Sequence, residues 1–399
     1  MKGIVVYYSG TCNTKKIAKA IHRGMKTVME KADIASISEI NPGELKKYDL
    51  IGIGSPIWYF RETANTRLFI NSMPKLDGKL CFVFCSHGAS PSGIFFSMVP
   101  ALQKKGLTII GDADWYGSCY QVLHAPKPYF TDGHPDAIDL KEAEVFGREI
   151  AEKAKKIAAG DKSLIPDLKE VARERSTFRP FALGNPFPDK DGRKGDLSPE
   201  AGPPPKPDRS INMSKCTYPK CTICVDNCPA KAIDFSKDTP EIRKSCLNCS
   251  LCDRICPNEA IGVPPEAMKR HRTMKVINMA KCKYPECKLC VQYCPMNSID
   301  FSVNPPQFKY NCEGDDLCWV ICPEGAIEIT NLEETHGALY RMGGGKDDHS
   351  RHPFLRLLAE AEAKGKFRRL VPLDKVGWDN PVMYMKKHPR FDINELMKD

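Results

Sequence analysis

The cysteines of this chain are concentrated in one stretch of its sequence. Of 19 cysteines in 399 residues, 15 lie between Cys216 and Cys322, at separations that recur. The chain begins MKGIVVYYSG, which lacks the long apolar region and cleavage site of a signal peptide. Thiols stay reduced inside cells, where closely spaced cysteines favour metal ligation over disulfides. We therefore expect a soluble, cytoplasmic metal-binding protein without a membrane span.

The spacing of these cysteines indicates which metal centre they hold. Cys216, Cys221, Cys224 and Cys228-Pro form one run, and a second run follows with Cys246, Cys249, Cys252 and Cys256-Pro. Zinc sites use pairs of ligands separated by longer loops, and they do not need a third cysteine followed by Cys-Pro. Such short runs of thiolates are instead typical of iron–sulfur clusters, and the proline stiffens the chain behind the last ligand. We predict iron–sulfur clusters.

The cysteine-rich stretch is an internal repeat. INMSKCTYPKCTICVDNCP from Ile211 matches INMAKCKYPECKLCVQYCP from Ile277, a shift of 66 residues. The same shift places Asp315 where the first copy has Cys249. A carboxylate binds iron but is harder than thiolate, so Asp315 either ligates a weakly held iron or faces solvent beside a three-iron cluster or an empty site. The sequence thus predicts two related modules, one with an unusual ligand position.

The first 160 residues alternate apolar strands with amphipathic helices. Ile17, Ile21, Met25 and Val28 recur at helical spacing, and a long charged helix is predicted over residues 139–159. Near-continuous apolar runs of this length suit strands that helices cover on both faces. This pattern predicts a doubly wound parallel sheet. The expected strands are residues 3–8, 32–37, 49–54, 79–86 and 107–115.

Three loops follow the predicted strands at the edge where parallel strands end and ligands bind. SGTCNT (9–14) leads into a helix, where hydroxyl and N–H groups attract phosphate. GSPIWYF (54–60) offers Trp58 and Tyr59 for stacking on a planar ring, and CSHGASPSG (85–93) follows the fourth strand. The alternatives are ordinary helix capping in the first loop and core positions for the two aromatic residues.

These motifs carry two resemblances. Residues 1–160 resemble the flavodoxin family, and residues 210–330 resemble bacterial two-cluster ferredoxins. The combination is similar to the flavodoxin–ferredoxin fusion proteins of anaerobes. Similarity to flavodoxins implies FMN, although Cys12 stands where that family usually has glycine. The implied FMN contacts are Ser9, Thr11, Cys12, Asn13, Thr14, Pro56, Ile57, Trp58, Tyr59, Ser86, His87 and Gly88.

The ferredoxin resemblance implies cross-ligation, in which a distant cysteine of one run completes the cluster of the other. Four ligand sets follow, up to four 4Fe–4S clusters in all. Site 1A comprises Cys216, Cys221, Cys224 and Cys256, and site 1B comprises Cys246, Cys249, Cys252 and Cys228. Site 2A comprises Cys282, Cys287, Cys290 and Cys322, and site 2B comprises Cys312, Asp315, Cys318 and Cys294.

The expected architecture is an α/β flavodoxin-like doubly wound sheet, two small α+β ferredoxin-like modules and a C-terminal extension. Cys12, Cys81, Cys85 and Cys119 lie outside the cluster motifs, and we expect buried, inert thiols there. A proline-rich linker is expected between the flavin and cluster regions, and the extension is a candidate docking segment. The predicted bounds are 1–160, 161–210, 211–265, 277–332 and 333–399.

The sequence points to an electron-transfer protein that joins FMN to iron–sulfur clusters and serves a partner oxidoreductase or ferredoxin in anaerobic metabolism. Its net charge of +9 could steer an acidic partner, but lysine and arginine are spread along the whole chain, which favours the simpler interpretation of a solvated basic surface. The rival hypothesis is an FMN-dependent reductase of a small substrate, with His87 and His124 as the only acid–base candidates. A scaffold with structural clusters is a third hypothesis. No feature indicates nucleic-acid binding.

Overall fold

A computed structural model describes residues 1–59, 61–89, 91, 93–119, 128–171, 209–237, 239–243, 246, 249–263, 273–331, 353–372 and 375. Its chain forms two compact units. The first contains most of the N-terminal part together with Phe367–Val371, and the second contains the cysteine-rich part. His124, most of the predicted linker and much of the C-terminal extension lie outside the described residues.

A mainly parallel sheet forms the centre of the first unit. Its five parallel strands stand in the order β2-β1-β3-β5-β6, and the short β4 pairs antiparallel with the end of β3. Every residue of β5 is buried, as expected for a strand covered on both faces. The strands are β1 (Lys2–Tyr7), β2 (Lys31–Ser36), β3 (Leu50–Trp58), β4 (Arg61–Glu62), β5 (Leu80–His87) and β6 (Thr108–Tyr116).

Helices cover both faces of this sheet. They are α1 (Asn13–Lys26), α2 (Ala64–Ser72), α3 (Ile94–Gln103) and α4 (Ala137–Ala158). Apolar residues of α1 and α4 share one core with the sheet, and those of α2 and α3 share another. Gly24 and Gly147 let α1 and α4 approach closely, because a Cβ at either position would lie within about 2 Å of the other helix's backbone. The doubly wound α/β prediction is confirmed.

The second unit contains two small α+β modules built alike. In the first module, β7 (Ser210–Ile211) pairs with β10 (Ile261–Gly262), and β8 (Ile233–Asp234) pairs with β9 (Glu241–Ile242). The second module repeats this with β11 (Lys275–Ile277), β12 (Ile299–Asp300), β13 (Gln307–Phe308) and β14 (Ile327–Ile329). The helices are α5 (Ile223–Asn227), α6 (Leu251–Ile255), α7 (Leu289–Gln292), α8 (Leu317–Ile321) and α9 (Pro353–Ala363).

Equivalent aromatic pairs stabilise the two modules. Tyr218 stacks on Phe235 with ring centroids 4.0 Å apart, and Tyr284 stacks on Phe301 at 3.9 Å. Each tyrosine lies in the four-residue insertion of the first cysteine loop, so the stacked ring holds that enlarged loop against its module. The described helices include none long and apolar enough to cross a membrane.

The segment Phe367–Val371 is anchored in the first unit by a polar cluster. Arg368 donates hydrogen bonds to both carboxylate oxygens of Asp136, at 2.8 and 2.7 Å. His134 bonds Asp139 through Nδ1 at 2.5 Å and the Arg368 carbonyl through Nε2 at 2.7 Å. Asp136 also caps α4. The side chains of His134, Asp136 and Asp139 lie close enough together to resemble a metal site. Their hydrogen bonds to Arg368 show that they hold the C-terminal segment in place.

Candidate flavin and iron–sulfur sites

The loop between β1 and α1 has the backbone of an anion site. Cys12 has φ 65°, a left-handed conformation that glycine adopts without cost, and it lies directly before α1. Ser9 Oγ is buried and has no hydrogen-bond partner among the described residues. Thr11 lies between them and is partly exposed. An unpaired hydroxyl beside the first N–H groups of a helix fits a bound phosphate.

Asn13 and Thr14 connect this loop to its neighbours. Asn13 donates from Nδ2 to the Ser118 carbonyl at 2.8 Å, and the hydroxyls of Thr14 and Ser86 lie 2.7 Å apart in the interior. Their side chains thereby fix the loop against the end of β5 and the segment after β6. Their backbone N–H groups lie in the first helical turn, where a helix leaves its donors unsatisfied.

A tight hairpin presents the aromatic residues predicted to stack on the flavin. Trp58 is paired with Arg61 across β3 and β4, and Tyr59 between them has φ 50°. Pro56, Ile57, Trp58 and Tyr59 are all half-buried, so part of each side chain remains accessible. The Trp58 ring meets Tyr8 edge-on at 5.7 Å. This hairpin can therefore offer ring surface to a planar ligand.

A buried ion pair between Glu62 and Arg67 anchors the β3–β4 hairpin to α2. Arg67 on α2 donates from Nε to Glu62 at 2.6 Å and from Nη2 to the carbonyl and hydroxyl of Ser97, both at 2.8 Å. The Glu62 and Arg67 side chains are 0% and 4% exposed. This network ties β4, α2 and α3 together. The sequence did not reveal it, because no local pattern marks a carboxylate for burial.

His87 at the end of β5 lies inside the first unit. Its side chain is 1% exposed, and Nε2 lies 3.0 Å from Asp114 Oδ2. The imidazole also packs edge-on against Tyr116 at 4.6 Å. Nδ1 is buried without a partner among the described residues. Ser86 is buried beside it, and a Cβ on Gly88 would lie 3.0 Å from the Cys119 Cβ, so the backbone of this loop is closely packed.

Three of the four cysteines outside the cluster motifs are buried. Cys12, Cys81 and Cys85 lie in the interior, and Cys119 is half-buried. Burial raises the pKa of the Cys81 thiol far above its usual range, which keeps it protonated and unreactive.

In the first module, the structure brings together the cysteines of each predicted ligand set. Burial, and then the adjacent thiols of the rest of site 1A, Cys256, Cys216 and Cys221, raise the pKa of Cys224 to about 11. Cys228 leaves its own run and lies beside Cys249 and Cys246 of site 1B. Thiols crowded in this way repel one another as thiolates unless a cation neutralises them, so the grouping fits an iron–sulfur core.

The second module groups its ligand positions in the same way. The Cys290 thiol lies beside Cys322, Cys282 and Cys287, which completes site 2A. Cys294 lies beside Asp315 and Cys312, and Cys318 also lies beside these two residues. Site 2B thus has its carboxylate among its three thiols.

Asp315 has one carboxylate oxygen engaged by the protein. Its Oδ1 accepts a hydrogen bond from the Leu317 N–H at 2.8 Å. Burial, more than any other influence, raises the pKa of Asp315 to about 6. Asp315 itself is half-buried, and a carboxylate held among thiols gains from a neighbouring metal ion, which would offset the cost of withdrawing its charge from water.

The last cysteine of each run accepts the same backbone hydrogen bond. The Sγ atoms of Cys228, Cys256, Cys294 and Cys322 receive N–H groups four residues further along, at 3.2 to 3.3 Å. Hydrogen bonds to cluster sulfurs help to set the reduction potential. The repetition of this contact follows from the turn that each Cys-Pro begins.

Two buried cations that sequence reasoning missed lie beside the B sites. Arg209 precedes β7, is within the electrostatic reach of Cys252, Cys246 and Cys249, and lies 3.8 Å from Asp253. Lys275 begins β11 and lies 2.8 Å from Asp316. Burial opposes the charge of Lys275, yet Asp316, Cys312 and Cys318 raise its pKa above the usual range. The shift of 66 residues relates Arg209 to Lys275, and this signal could have found them.

The two modules also contact each other within the second unit. Tyr310 donates its hydroxyl hydrogen to the Cys256 carbonyl at 2.7 Å. Arg254 is buried and donates to the Tyr310 carbonyl at 3.3 Å. These bonds join the end of one cysteine run to the segment that leads into another.

Comparisons with known proteins agree with this geometry. A flavodoxin domain family model matches residues 4–108. An uncharacterized protein from Methanocaldococcus jannaschii is 30% identical over 155 residues, covering 38% of this chain and 98% of that protein. An uncharacterized ferredoxin from the same organism is 32% identical over 59 residues, covering 14% of this chain and 95% of that ferredoxin. A ferredoxin from Methanothermococcus thermolithotrophicus is 34% identical over 56 residues, covering 14% of this chain and 93% of that protein.

The flavodoxin domain implies FMN, and the ferredoxin relatives imply iron–sulfur clusters, for which the loop and the thiol sets above provide fitting residues. Both families carry electrons. The chain is therefore a flavodoxin–ferredoxin fusion protein with a role in electron transfer.

Proposed function

We propose that this protein passes electrons between FMN and up to four 4Fe–4S clusters, to or from a partner oxidoreductase in anaerobic metabolism. FMN accepts one or two electrons and each cluster accepts one, so the pair can link two-electron chemistry to one-electron carriers. The observation that carries the proposal is the grouping of fifteen cysteines and Asp315 into four sets of four, in a chain that also has a flavin loop.

The chain supplies the binding groups for each cofactor. Ser9, Thr11 and the backbone of the 9–14 loop would hold the FMN phosphate, and the Trp58 hairpin would cover the isoalloxazine ring. The Asn13 and Thr14 side chains would fix that loop in place, through Ser118 and Ser86. Sites 1A, 1B, 2A and 2B would hold the clusters, and Asp315 would give site 2B its weakest ligand.

The cofactor content tests this assignment. Protein purified anaerobically should release one FMN per chain and contain iron and sulfide for up to four clusters. Thr11→Asp should abolish FMN binding, because it places a negative charge beside the phosphate, and the iron content should not change. Thr27→Asp adds the same charge near the other end of α1 and should retain FMN. Full FMN retention by the Thr11→Asp protein would contradict the phosphate site.

An electron-exchange assay tests whether the chain passes electrons, whichever direction they take in the cell. Reduced ferredoxin should reduce the flavin and clusters of the isolated chain, which should then reduce an artificial one-electron acceptor. Turnover of small substrates should require a partner protein, to be identified by anaerobic purification from the native cell. Rapid NAD(P)H-dependent reduction of a small molecule by the isolated chain would instead favour the reductase hypothesis. The C-terminal extension, residues 333–399, is our candidate for the docking segment.

A further inference from the structure

Equivalent positions of the two modules each carry a buried cation. Arg209 lies directly before β7, and Lys275 is the first residue of β11, the equivalent strand of the second module. The 66-residue shift aligns the two residues in sequence. Their side chains are 7% and 2% exposed. Charged side chains are seldom buried without a specific electrostatic partner, so the recurrence of a cation at this position indicates a role shared by both modules.

Each cation faces the second cysteine run of its own module. Arg209 lines one small cavity together with the four cysteines of site 1B. Lys275 pairs with Asp316, which directly follows Asp315 of site 2B and lies two residues before Cys318. Arg209 and Lys275 are thus both placed at the B site of their own module.

The carboxylates around the cations differ between the modules. Arg209 pairs with Asp253 and donates to the Ser250 hydroxyl, and the repeat places Asp316 at the position of Ser250. Lys275 pairs directly with that Asp316, which also accepts a hydrogen bond from Thr273. Site 2B therefore combines a fully buried lysine with a fully buried aspartate.

Burial makes these charges effective. Reduction adds one negative charge to a cluster, and a fixed cation nearby stabilises the reduced form more strongly where water is excluded.

We propose that Lys275 and Arg209 are redox-tuning residues, which raise the reduction potentials of the clusters at sites 2B and 1B. Asp316 and Asp253 oppose them and lower the same potentials. Neither cation ligates iron, and each one-electron reduction moves an electron from an external reductant to the cluster without making or breaking a bond to these side chains. The proposal rests on the proposed function, since it requires clusters at these sites.

Redox titration of the full-length protein, followed by electron paramagnetic resonance, tests the proposal. Lys275→Gln should lower the reduction equilibrium constant of one cluster roughly tenfold or more. For one electron, a tenfold change lowers the midpoint potential by about 59 mV. Asp316→Asn should shift the same midpoint upward. Lys275→Arg retains the charge and should restore a midpoint near that of the original protein. Arg209→Gln should lower a different midpoint.

The control is Lys283→Gln. Lys283 lies near Cys287 of site 2A, but its side chain is 65% exposed and paired with Glu324. Water and salt should screen its charge, so no midpoint should move.

The outcomes separate this proposal from the function on which it rests. A parent protein without iron and sulfide would refute the proposed function before any variant is compared. If clusters are present and Lys275→Gln and Asp316→Asn shift the midpoint in the same direction, or not at all, electrostatic tuning is wrong. If Lys275→Gln loses iron, the upward shift in Asp316→Asn and the retained midpoint in Lys275→Arg must still appear, and their absence would overturn the proposal.

Discussion

Removing the charge of Glu62 should destabilise the first unit and weaken FMN binding together. Glu62 and Arg67 are both buried, and the pair connects the end of the Trp58 hairpin to α2. In Glu62→Gln, the arginine charge would remain in the interior without its carboxylate. Removing one partner of a buried ion pair costs about 3–5 kcal/mol, and we expect the lower end because Gln can still accept a hydrogen bond.

A loss of about 3 kcal/mol corresponds to a fall of roughly 6–12 °C in the unfolding temperature of a unit of this size. Flavin fluorescence rises when FMN leaves the protein, so a thermal scan of the full-length chain reports this unit by itself. The double variant Glu62→Gln/Arg67→Met removes both charges and should recover most of the lost stability.

The matched control is the surface pair of Glu44 and Lys47, whose side chains are 49% and 66% exposed. Glu44→Gln should leave the flavin release temperature unchanged. A Glu62→Gln protein that releases FMN within 2 °C of the parent temperature, a limit set at about 1 kcal/mol, would refute the reasoning.

Two further predictions concern the other polar sites. Mild oxidation should convert only the site 2B cluster to a three-iron form, which electron paramagnetic resonance detects. Asp315→Cys should abolish this conversion. Unchanged spectra in both Asp315→Cys and Asp315→Ala would show that Asp315 does not bind the cluster. Hydrogen bonds from Arg368 lower the pKa of Asp136 to about 2 from an ordinary value of 3.8, so their contribution to stability is complete above about pH 4 and is lost as the pH falls through 2. Arg368→Gln should therefore cost about 0.5–1 kcal/mol at neutral pH and much less at pH 2, as measured by urea unfolding; an equal cost at both values would contradict this linkage.

The sheet of the first unit could be predicted because its strands are near-continuous apolar stretches of the sequence. The strand expected at residues 79–86 is observed at Leu80–His87, and the one expected at 107–115 is observed at Thr108–Tyr116. The short β4 was not predicted, since two residues with the sequence Arg-Glu carry no strand signal. Its pairing depends on the Tyr59 turn and on the buried Arg67, which are tertiary features.

The candidate sites divide in the same way. Cysteine spacing predicted the runs of neighbouring thiols, because the ligands of one run lie within a single short loop. The resemblance to two-cluster ferredoxins predicted that the last cysteine of each run joins the thiols of the other run. The partners of Asn13 and His87 could not be predicted, since Ser118 and Asp114 are brought to them only by the order of the sheet strands. The 66-residue repeat relates Lys275 to Arg209, but a lysine that begins a strand is usually solvated, and the burial of Lys275 and its pairing with Asp316 are visible only in the structure.

The hydrogen bond between Tyr310 and Cys256 links the two modules directly. Cys256 is the last cysteine of the first module, and Tyr310 lies two residues before Cys312 of the second. The bond is 2.7 Å long and ties the backbone of one cysteine run to the segment that leads into another. A shift of either run would therefore be passed mechanically to the other module.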